Sequence, residues 1–285
     1  MKNIVILGDS SFIGCNISKK LNNEFNIFGF NSKNCNLLEY KHIEKTLRTI
    51  ENIDCIIFCS SITRLKENTI FSLEKNVLMS INVAKFIENY PIKQLIFLSS
   101  IDIYGNTEEE YTEDLVPNPN DYYAKSKSIS EIILKEAIKK HNTKLFIPRL
   151  SGVFGKNDNN KSTIYDLVSS ALNKKEITLF NNGEDTRDYI YIDFLIEIIR
   201  NAINREYEGI LNIATGKSYS IKTISQLIIN LIDNNVKLIL KNDKNNSRNK
   251  KINFNISKLK NSNLITNNLD IKDYIKLYIG CFNEK

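Results

Sequence analysis

The chain is 285 residues long, 42% hydrophobic and 25% charged, with 39 Lys and Arg against 33 Asp and Glu, a net charge of +6. That length buries a substantial core as one large domain or two intimately joined ones, and the composition is that of a soluble globular protein. The positive excess is scattered among Glu and Asp instead of forming a stripe, which speaks against a nucleic-acid face and for a solvated surface mildly attractive to an anionic substrate.

Five cysteines, at 15, 35, 55, 59 and 281, form no Cys-x-x-Cys pair and lie partly in apolar runs, the pattern of reduced thiols in a cytoplasmic protein. With His42 and His141 as the two histidines, no soft-metal cluster is expected. The apolar run behind Met1 is too short for a signal peptide, and no run reaches transmembrane length, so neither export nor a membrane partner is expected.

Short β-branched runs alternate with amphipathic segments, which predicts βαβ units around a parallel sheet. Residues 3–7 (NIVIL) read as a strand, 12–21 as a helix, 25–30 (FNIFGF) as a second strand and 41–50 as a helix with Ile43, Leu47 and Ile50 on one face. Residues 54–60 (DCIIFCS) and 94–100 (QLIFLSS) read as buried strands flanking a long helix over 69–89. A helix carrying Tyr123 precedes a strand over 143–150. Beyond 150 the connections become longer and more polar. Helix is expected over 162–175, strand–turn–strand over 177–192, helix over 192–205, and an exposed basic loop over 240–251. The boundaries expected are a dinucleotide-binding domain over 1–150, to which 183–205 returns, and a smaller part from 151–182 and 206–285.

Between the first strand and helix stands GDSSFIG, residues 8–14. That is where a dinucleotide fold brings a pyrophosphate onto a helix N-terminus. Gly8 permits the tight turn and Gly14 the close helix–strand packing, with Ser11 where a middle glycine is common. The contacts expected there are Gly8, Ser10, Ser11, Phe12, Ile13 and Gly14. Downstream, DYYAKSKSISE places Tyr123 and Lys127 one helical turn apart, where an ammonium lowers a phenol's pKa and suits it to proton transfer. Alone the pair decides nothing. With 13 Tyr and 39 Lys and Arg in the chain, chance supplies about two such pairs.

Six collinear segments give the pair its context: ILGDSSFIGCNISKKL, EKNVLMSINVAKFIE (74–88), FLSSIDIYG (97–105), DYYAKSKSISE, PRLSGVFG (148–155) and GEDTRDYIYIDFL (183–195), followed by LNIATGKSYSI (211–221). In this order they resemble the extended short-chain dehydrogenases/reductases, the family of nucleotide-sugar epimerases, dehydratases and 4-ketoreductases. The resemblance implies a Rossmann-type α/β fold, a doubly wound parallel sheet with a smaller C-terminal substrate-binding part. It implies Ser100, Tyr123 and Lys127 as the catalytic set, and Asn76, Cys59, Ser60, Ser61, Ser99 and Leu150 near the dinucleotide. By the same resemblance Arg187 meets the nucleotide-sugar phosphates, Asp102 and Gly152 line the sugar site, and the chain forms a homodimer through the helices near 69–89 and 121–141.

Departures from the family pattern narrow the expectation. Dehydratases of the family carry an Asp-Glu pair after the catalytic hydroxyl, whereas this chain has Ile101 and Asp102, so a 4,6-dehydratase is disfavoured. The 3,5-epimerase/4-reductase type is disfavoured because Asp102 stands where it uses a Cys, and no His follows FGKNDNN (154–160). The second strand ends in Asn31 instead of the acid that grips an adenosine 2′-hydroxyl in NAD-preferring members, with Lys33 two beyond. That favours NADP(H), with NAD(H) as the alternative, and adenine beside Asn36 and Leu37. Gly152 stands where members carry Asn, which implies a roomier or reshaped sugar pocket. The resulting expectation is an NADPH-dependent nucleotide-4-ketosugar reductase, with an NAD-dependent 4-epimerase second. A non-catalytic nucleotide-binding or RNA-binding relative on the same fold is the third reading.

Overall fold

The computed structural model describes residues 1–107, 109–158, 162–241, 252–266 and 270–283. In chain order its elements are β1 (Asn3–Leu7), α1 (Phe12–Leu21), β2 (Asn26–Phe30), α2 (Tyr40–Leu47), β3 (Cys55–Phe58), α3 (Ile70–Asn89), β4 (Gln94–Phe97), β5 (Ser99–Ser100), α4 (Tyr122–Ile138) and β6 (Lys144–Leu150). There follow β7 (Gly152–Phe154), α5 (Thr163–Lys174), β8 (Glu176–Phe180), β9 (Thr186–Arg187), β10 (Tyr189–Tyr191), α6 (Ile192–Arg205) and β11 (Gly209–Ile213). The last elements are β12 (Tyr219–Ser220), α7 (Ile221–Ile232), β13 (Lys237–Lys241), α8 (Ser257–Asn261) and α9 (Ile271–Asn283).

Two compact units form. The first takes Met1–Asn106, Glu113–Leu150 and Ile196–Asn212; the second takes Thr107–Thr112, Ser151–Leu195 and Ile213–Lys285. Residues 183–195 of the expected returning segment thus belong to the second unit, and 196–212 to the first.

The first unit is built on a sheet of order β11-β6-β4-β3-β1-β2, with β5 also paired to β6. The pairs β1–β2, β1–β3, β3–β4, β4–β6 and β5–β6 are parallel. This is the Rossmann-type arrangement. The near-continuous apolar runs of β1, β3 and β4 follow from it, because a parallel sheet is covered on both faces. Val5, Leu7, Ile56, Phe58, Leu95 and Phe97 pack with Ile43, Leu47, Val83, Phe86, Ile87 and Leu134 from α2, α3 and α4. Ile4, Ile6, Ile57 and Ile96, on alternate positions, are fully buried and face the other way.

Local signals fix the long helices. Thr69 caps α3, accepting from the Ser72 N–H, while the Ser72 hydroxyl accepts from the Thr69 N–H. Asp121 caps α4 through the Ala124 N–H at 2.8 Å. α3 and α4 lie against one another through small polar side chains: the Ser80 hydroxyl donates to Ser130 at 2.7 Å, and the Asn76 amide to Ser126 at 3.2 Å. Short side chains let the two backbones approach, and each buried hydroxyl finds a partner, which avoids a cost of about 1–3 kcal/mol apiece.

The second unit holds three two-stranded ladders, β7–β10, β9–β12 and β8–β13, with α5, α7, α8 and α9. Phe154 packs edge-on against Tyr189, Tyr191 and Tyr278 at its centre. Of the basic loop expected over 240–251, residues 242–251 lie outside the described residues.

Candidate active site

The chain leaves β1, runs out to β2, and returns across β1 to β3, so the carboxyl ends of β1 and β3 flank a topological switch point, where α/β sheets bind their ligands. Gly8 sits at this end with φ +100°, and a Cβ there would lie 2.8 Å from the Ser60 nitrogen. The N–H groups of Cys59 and Ser60 both donate to the Leu7 carbonyl at 2.9 Å, which ties the two strand ends together. A Cβ on Gly14 would come within 2.2 Å of the Gly8 carbonyl oxygen, so α1 approaches the turn as closely as backbone allows. Ser11 caps α1, its Oγ accepting from the Gly14 N–H at 3.1 Å, and a hydroxyl that accepts can also donate. Phe12 and Ile13 open the helix, while Ser10 is exposed on the turn. The Ser61 hydroxyl is buried without a hydrogen-bond partner among the described residues. A turn that lacks Cβ atoms at Gly8 and Gly14, a helix N-terminus and an unpartnered buried hydroxyl together fit a pyrophosphate.

At the end of β2, Asn31 donates from its amide to Asp9 at 3.1 Å and accepts the Lys33 N–H at 3.0 Å. Lys33 is exposed. Asn36 bonds Glu39 and the Leu38 N–H, holding its own turn. Leu37 is buried in the core, and its carbonyl accepts from Asn82, so its side chain is committed to packing and not to a ligand face. Asn76 is likewise engaged: its amide bonds the Ile62 N–H, the Ile62 carbonyl and Ser126. It thereby shapes the loop after β3.

The three expected catalytic side chains share the first unit. Ser100 ends β5 and caps the 3-10 turn Ile101–Tyr104, accepting from the Asp102 N–H at 3.1 Å and donating to the Asp102 carboxylate at 3.0 Å. It also hydrogen-bonds the Tyr123 phenol. Lys127 is buried; its ammonium donates to the Leu98 carbonyl at 2.7 Å and lies 5.8 Å from the Tyr123 ring centre. The sequence brings these groups together because the first two turns of α4 pack beside β5.

The electrostatics differ from the expectation. Burial pushes the Tyr123 phenol up; Asp102 and Asp121 add to the rise, while Arg64 and the Ser100 hydrogen bond oppose it. Lys127 is held by a carbonyl, and burial pushes it down from 10.5 to about 8 against the influence of Cys59 and Glu131. The lowering expected from the Tyr-x-x-x-Lys spacing is therefore not found: the phenol is raised, and what opposes the rise comes from Arg64 and Ser100, not from Lys127. Cys59 is itself pushed up to about 12 by burial, a neutral thiol packed under the site.

Arg64 was not singled out by sequence. It pairs with Asp102, lies 3.2 Å from Asp121 and covers the Tyr123 ring at 5.8 Å. The Asp102 carboxylate, expected to touch substrate, is thereby drawn into contacts with Arg64 and Ser100. A lone Arg in an exposed loop carries no periodic signal, so only coordinates reveal it.

Beneath the site lies a buried polar network. Arg149 grips Glu131 with two bonds of 3.1 and 2.8 Å, and the Ser99 hydroxyl donates to Glu131 at 2.6 Å. Arg149 also donates to the Tyr104 hydroxyl at 2.8 Å, and Tyr104 to Asn212 at 2.7 Å. The Ser99 hydroxyl thus belongs to this network, while Leu150, buried, ends β6 beside Ser100. The signals were a charged residue inside the apolar run LFIPRL, and an acid one turn beyond Lys127.

In the second unit Arg187 is half-buried on β9, its guanidinium donating to the Thr186 carbonyl at 3.0 Å. The neighbouring Asp188 gathers the N–H groups of Thr215, Gly216 and Lys217 at 2.8–3.1 Å, fixing that loop. A Cβ on Gly152 would lie 2.7 Å from the Tyr189 ring. The room left by the missing side chain at Gly152 is therefore taken by the Tyr189 ring.

Solved structures share the fold. The UDP-glucose 4-epimerase of Thermotoga maritima superposes with a TM-score of 0.87 at 18% identity, covering 99% of both chains. The dTDP-glucose 4,6-dehydratase of Bacillus anthracis, in complex with NAD, superposes at 0.85 and 17% identity, covering 100% of this chain and 97% of that one. RMD of Pseudomonas aeruginosa, complexed with NADPH, superposes at 0.85 and 16% identity over both whole chains. In sequence, the dTDP-D-glucose 4,6-dehydratase of Dictyostelium discoideum is 24% identical over 212 residues, 69% of this chain and 49% of that protein. A putative UDP-glucose 4-epimerase of Methanocaldococcus jannaschii is 28% identical over 167 residues, 57% of this chain and 54% of that protein. The chain thus spans about half the length of these two curated relatives. The model of the NAD dependent epimerase/dehydratase family matches residues 4–214, and the chain belongs to that family.

Proposed function

We propose that the chain exchanges a hydride between a nicotinamide dinucleotide and C4 of a nucleotide-linked sugar. The observation that carries this is the cluster of Ser100, Tyr123 and Lys127 beside the strand ends that flank the Gly8–Gly14 turn. A bound dinucleotide supplies the hydride acceptor or donor. Tyr123 takes or returns the proton of the reacting oxygen, the step hydride exchange leaves to the protein. Ser100, its hydroxyl proton turned from the Asp102 carboxylate, donates a hydrogen bond to that oxygen and steadies its developing charge. Arg64 and Ser100 oppose the rise that burial and Asp102 impose on the phenol, keeping it usable in both directions.

Two net reactions use these side chains. The missing acid of β2 favours NADPH-driven reduction of a 4-ketosugar. The carboxylate of Asp9 beside that strand end favours the other, 4-epimerisation on a retained NAD(H), and we take epimerisation as the leading reading. Epimerases among the matched relatives and structures support it. Elimination of water is disfavoured by Ile101 and by the pairing of Asp102 with Arg64. Arg187 is the residue we assign to the nucleotide phosphates. Incubation of the purified protein with UDP- and dTDP-hexoses, read by sugar analysis, is expected to yield the C4 epimer with no net cofactor turnover. Stoichiometric oxidation of NADPH by nucleotide-4-ketosugars would install the reductase instead. Silence in both assays would leave a non-catalytic relative.

We also infer a homodimer through α3 and α4, on which Ile70, Phe71, Leu78, Ile129 and Ile132 stand exposed. Sedimentation of the wild type as a dimer and of Phe71→Glu with Ile132→Glu as a monomer would bear this out; a monomeric wild type would not. Among the described residues no helix is long and apolar enough to cross a membrane.

A further inference from the structure

We infer that Asp9, on the turn after β1, selects the dinucleotide: its carboxylate takes the hydroxyls of an unphosphorylated adenosine ribose and repels a 2′-phosphate. The inference rests on the reading of Gly8–Gly14 as the pyrophosphate turn. In a dinucleotide fold the ribose lies at the end of the second strand, where an acid on that strand accepts from its hydroxyls. Here β2 is followed by Asn31, an amide that discriminates little between a hydroxyl and a phosphate.

The turn after β1 brings an acid to the same place. The N–H groups of Gly8 and Asp9 donate to the Phe30 carbonyl at 2.7 and 3.0 Å, laying the turn along the end of β2. Gly29 makes room for the side chain: a Cβ there would fall 2.5 Å from the Asp9 Oδ2 and 3.0 Å from its Cβ. Asn31 then fixes the carboxylate, donating to Asp9 Oδ1 at 3.1 Å. The amide orientation of Asn31 is set from its other side, since its Oδ1 accepts the Lys33 N–H at 3.0 Å. Asn31 is therefore the holder and Asp9 the reader. Among the described residues no ion pair neutralises Asp9, so a 2′-phosphate brought beside it would meet an uncompensated carboxylate. A ribose diol offers the opposite match, two O–H donors to an acceptor-only group. Lys33, the cation that the sequence offers to a 2′-phosphate, is exposed and contributes its backbone N–H to the arrangement. Solvent and salt screen an exposed ammonium more than a half-buried carboxylate.

The test is direct binding, with NADH and NADPH titrated by fluorescence and NAD and NADP by calorimetry. The wild type is expected to bind NADH at least roughly tenfold more tightly than NADPH. Asp9→Asn and Asp9→Ser are expected to close that gap, losing NADH affinity and gaining NADPH affinity, while Lys33→Ala leaves the ratio unchanged. Equal or tighter binding of NADPH by the wild type would overturn the assignment to Asp9 and leave the dinucleotide site standing. So would an Asp9→Asn variant that weakens both ligands alike, the signature of a merely structural turn residue. Binding of neither dinucleotide would overturn the dinucleotide reading itself, and the assignment with it.

Discussion

The guanidinium of Arg64 lies over the Tyr123 ring, 5.8 Å from its centre, while it pairs with both Asp102 and Asp121. One cation thus compensates the two carboxylates that hold the phenol's proton on. Removing Arg64 and removing Asp102 should therefore act in opposite directions. Arg64→Gln raises the Tyr123 pKa, and Asp102→Asn lowers it, each by about 1 unit given the partial exposure of these groups. The pH–rate profile of kcat/KM checks this: in the oxidative direction, which needs the ionised phenol, the acid limb moves up for Arg64→Gln and down for Asp102→Asn. Ser100 and Lys127 also face the phenol and are unchanged in both variants. Shifts of equal sign would remove Arg64 and Asp102 from the control of Tyr123.

Tyr123→Phe keeps the ring and removes the proton. We expect turnover to fall by about 10²- to 10⁴-fold, the usual worth of a general acid–base group, with dinucleotide affinity retained. A variant turning over at the wild-type rate would exclude the phenol from proton transfer.

Lys127 carries a stability signature of its own. The unfolded chain holds this proton up to about 10.5 and the folded chain up to about 8. Between those values the unfolded state binds more protons, so stability rises with pH across that window; below it the burial cost, roughly 3 kcal/mol, is paid in full. Lys127→Met removes the cost but leaves the Leu98 carbonyl without its 2.7 Å donor, a loss of about 1–2 kcal/mol. The net expectation at pH 7, without dinucleotide, is an inactive protein about 1–2 kcal/mol more stable than wild type. By pH 10 the advantage should have vanished. Urea unfolding at the two pH values measures it, and a variant less stable than wild type at pH 7 would contradict the burial cost.

Arg149 and Glu131 are 3% exposed on both sides of their ion pair. Arg149→Met strands a buried carboxylate and should cost about 3–5 kcal/mol, whereas Arg149→Met combined with Glu131→Leu should recover much of that loss. Denaturant midpoints of the two variants decide it. A double variant no more stable than Arg149→Met would show that the lost bonds to Tyr104 and the Glu113 carbonyl matter more than the stranded charge.

What was legible in the sequence follows physical range. β1 and α1 run over the expected 3–7 and 12–21, and α6 over 192–205, because apolar periodicity and strand–turn–helix punctuation are local. The place of the Gly8–Gly14 turn between β1 and α1, and the nearness of Ser100, Tyr123 and Lys127, follow from spacing fixed by one strand end and one helical turn. Pairings between segments were not legible. Asp9 meeting Asn31, Arg64 reaching Tyr123, and Asn76 turned onto Ile62 each join groups tens of residues or a loop apart. The sign of the effect on Tyr123 also escaped, because spacing reports which groups are near, while burial decides what their nearness is worth.

The first unit is assembled from three separated stretches of chain, and its last contribution arrives with Ile196–Asn212. Gln94 donates to the carbonyls of Ala202 and Tyr207, Lys2 to that of Ile203, and Tyr104 to Asn212. During synthesis the first unit therefore waits, its edge strand missing and its inner amides and hydroxyls wet, until about three quarters of the chain has been delivered. A gene cut near codon 195 would not release an independent dinucleotide module. It would release a polypeptide whose sheet still lacks its last rib, and a rearranged gene that moves 196–212 next to 150 offers the shorter route to one.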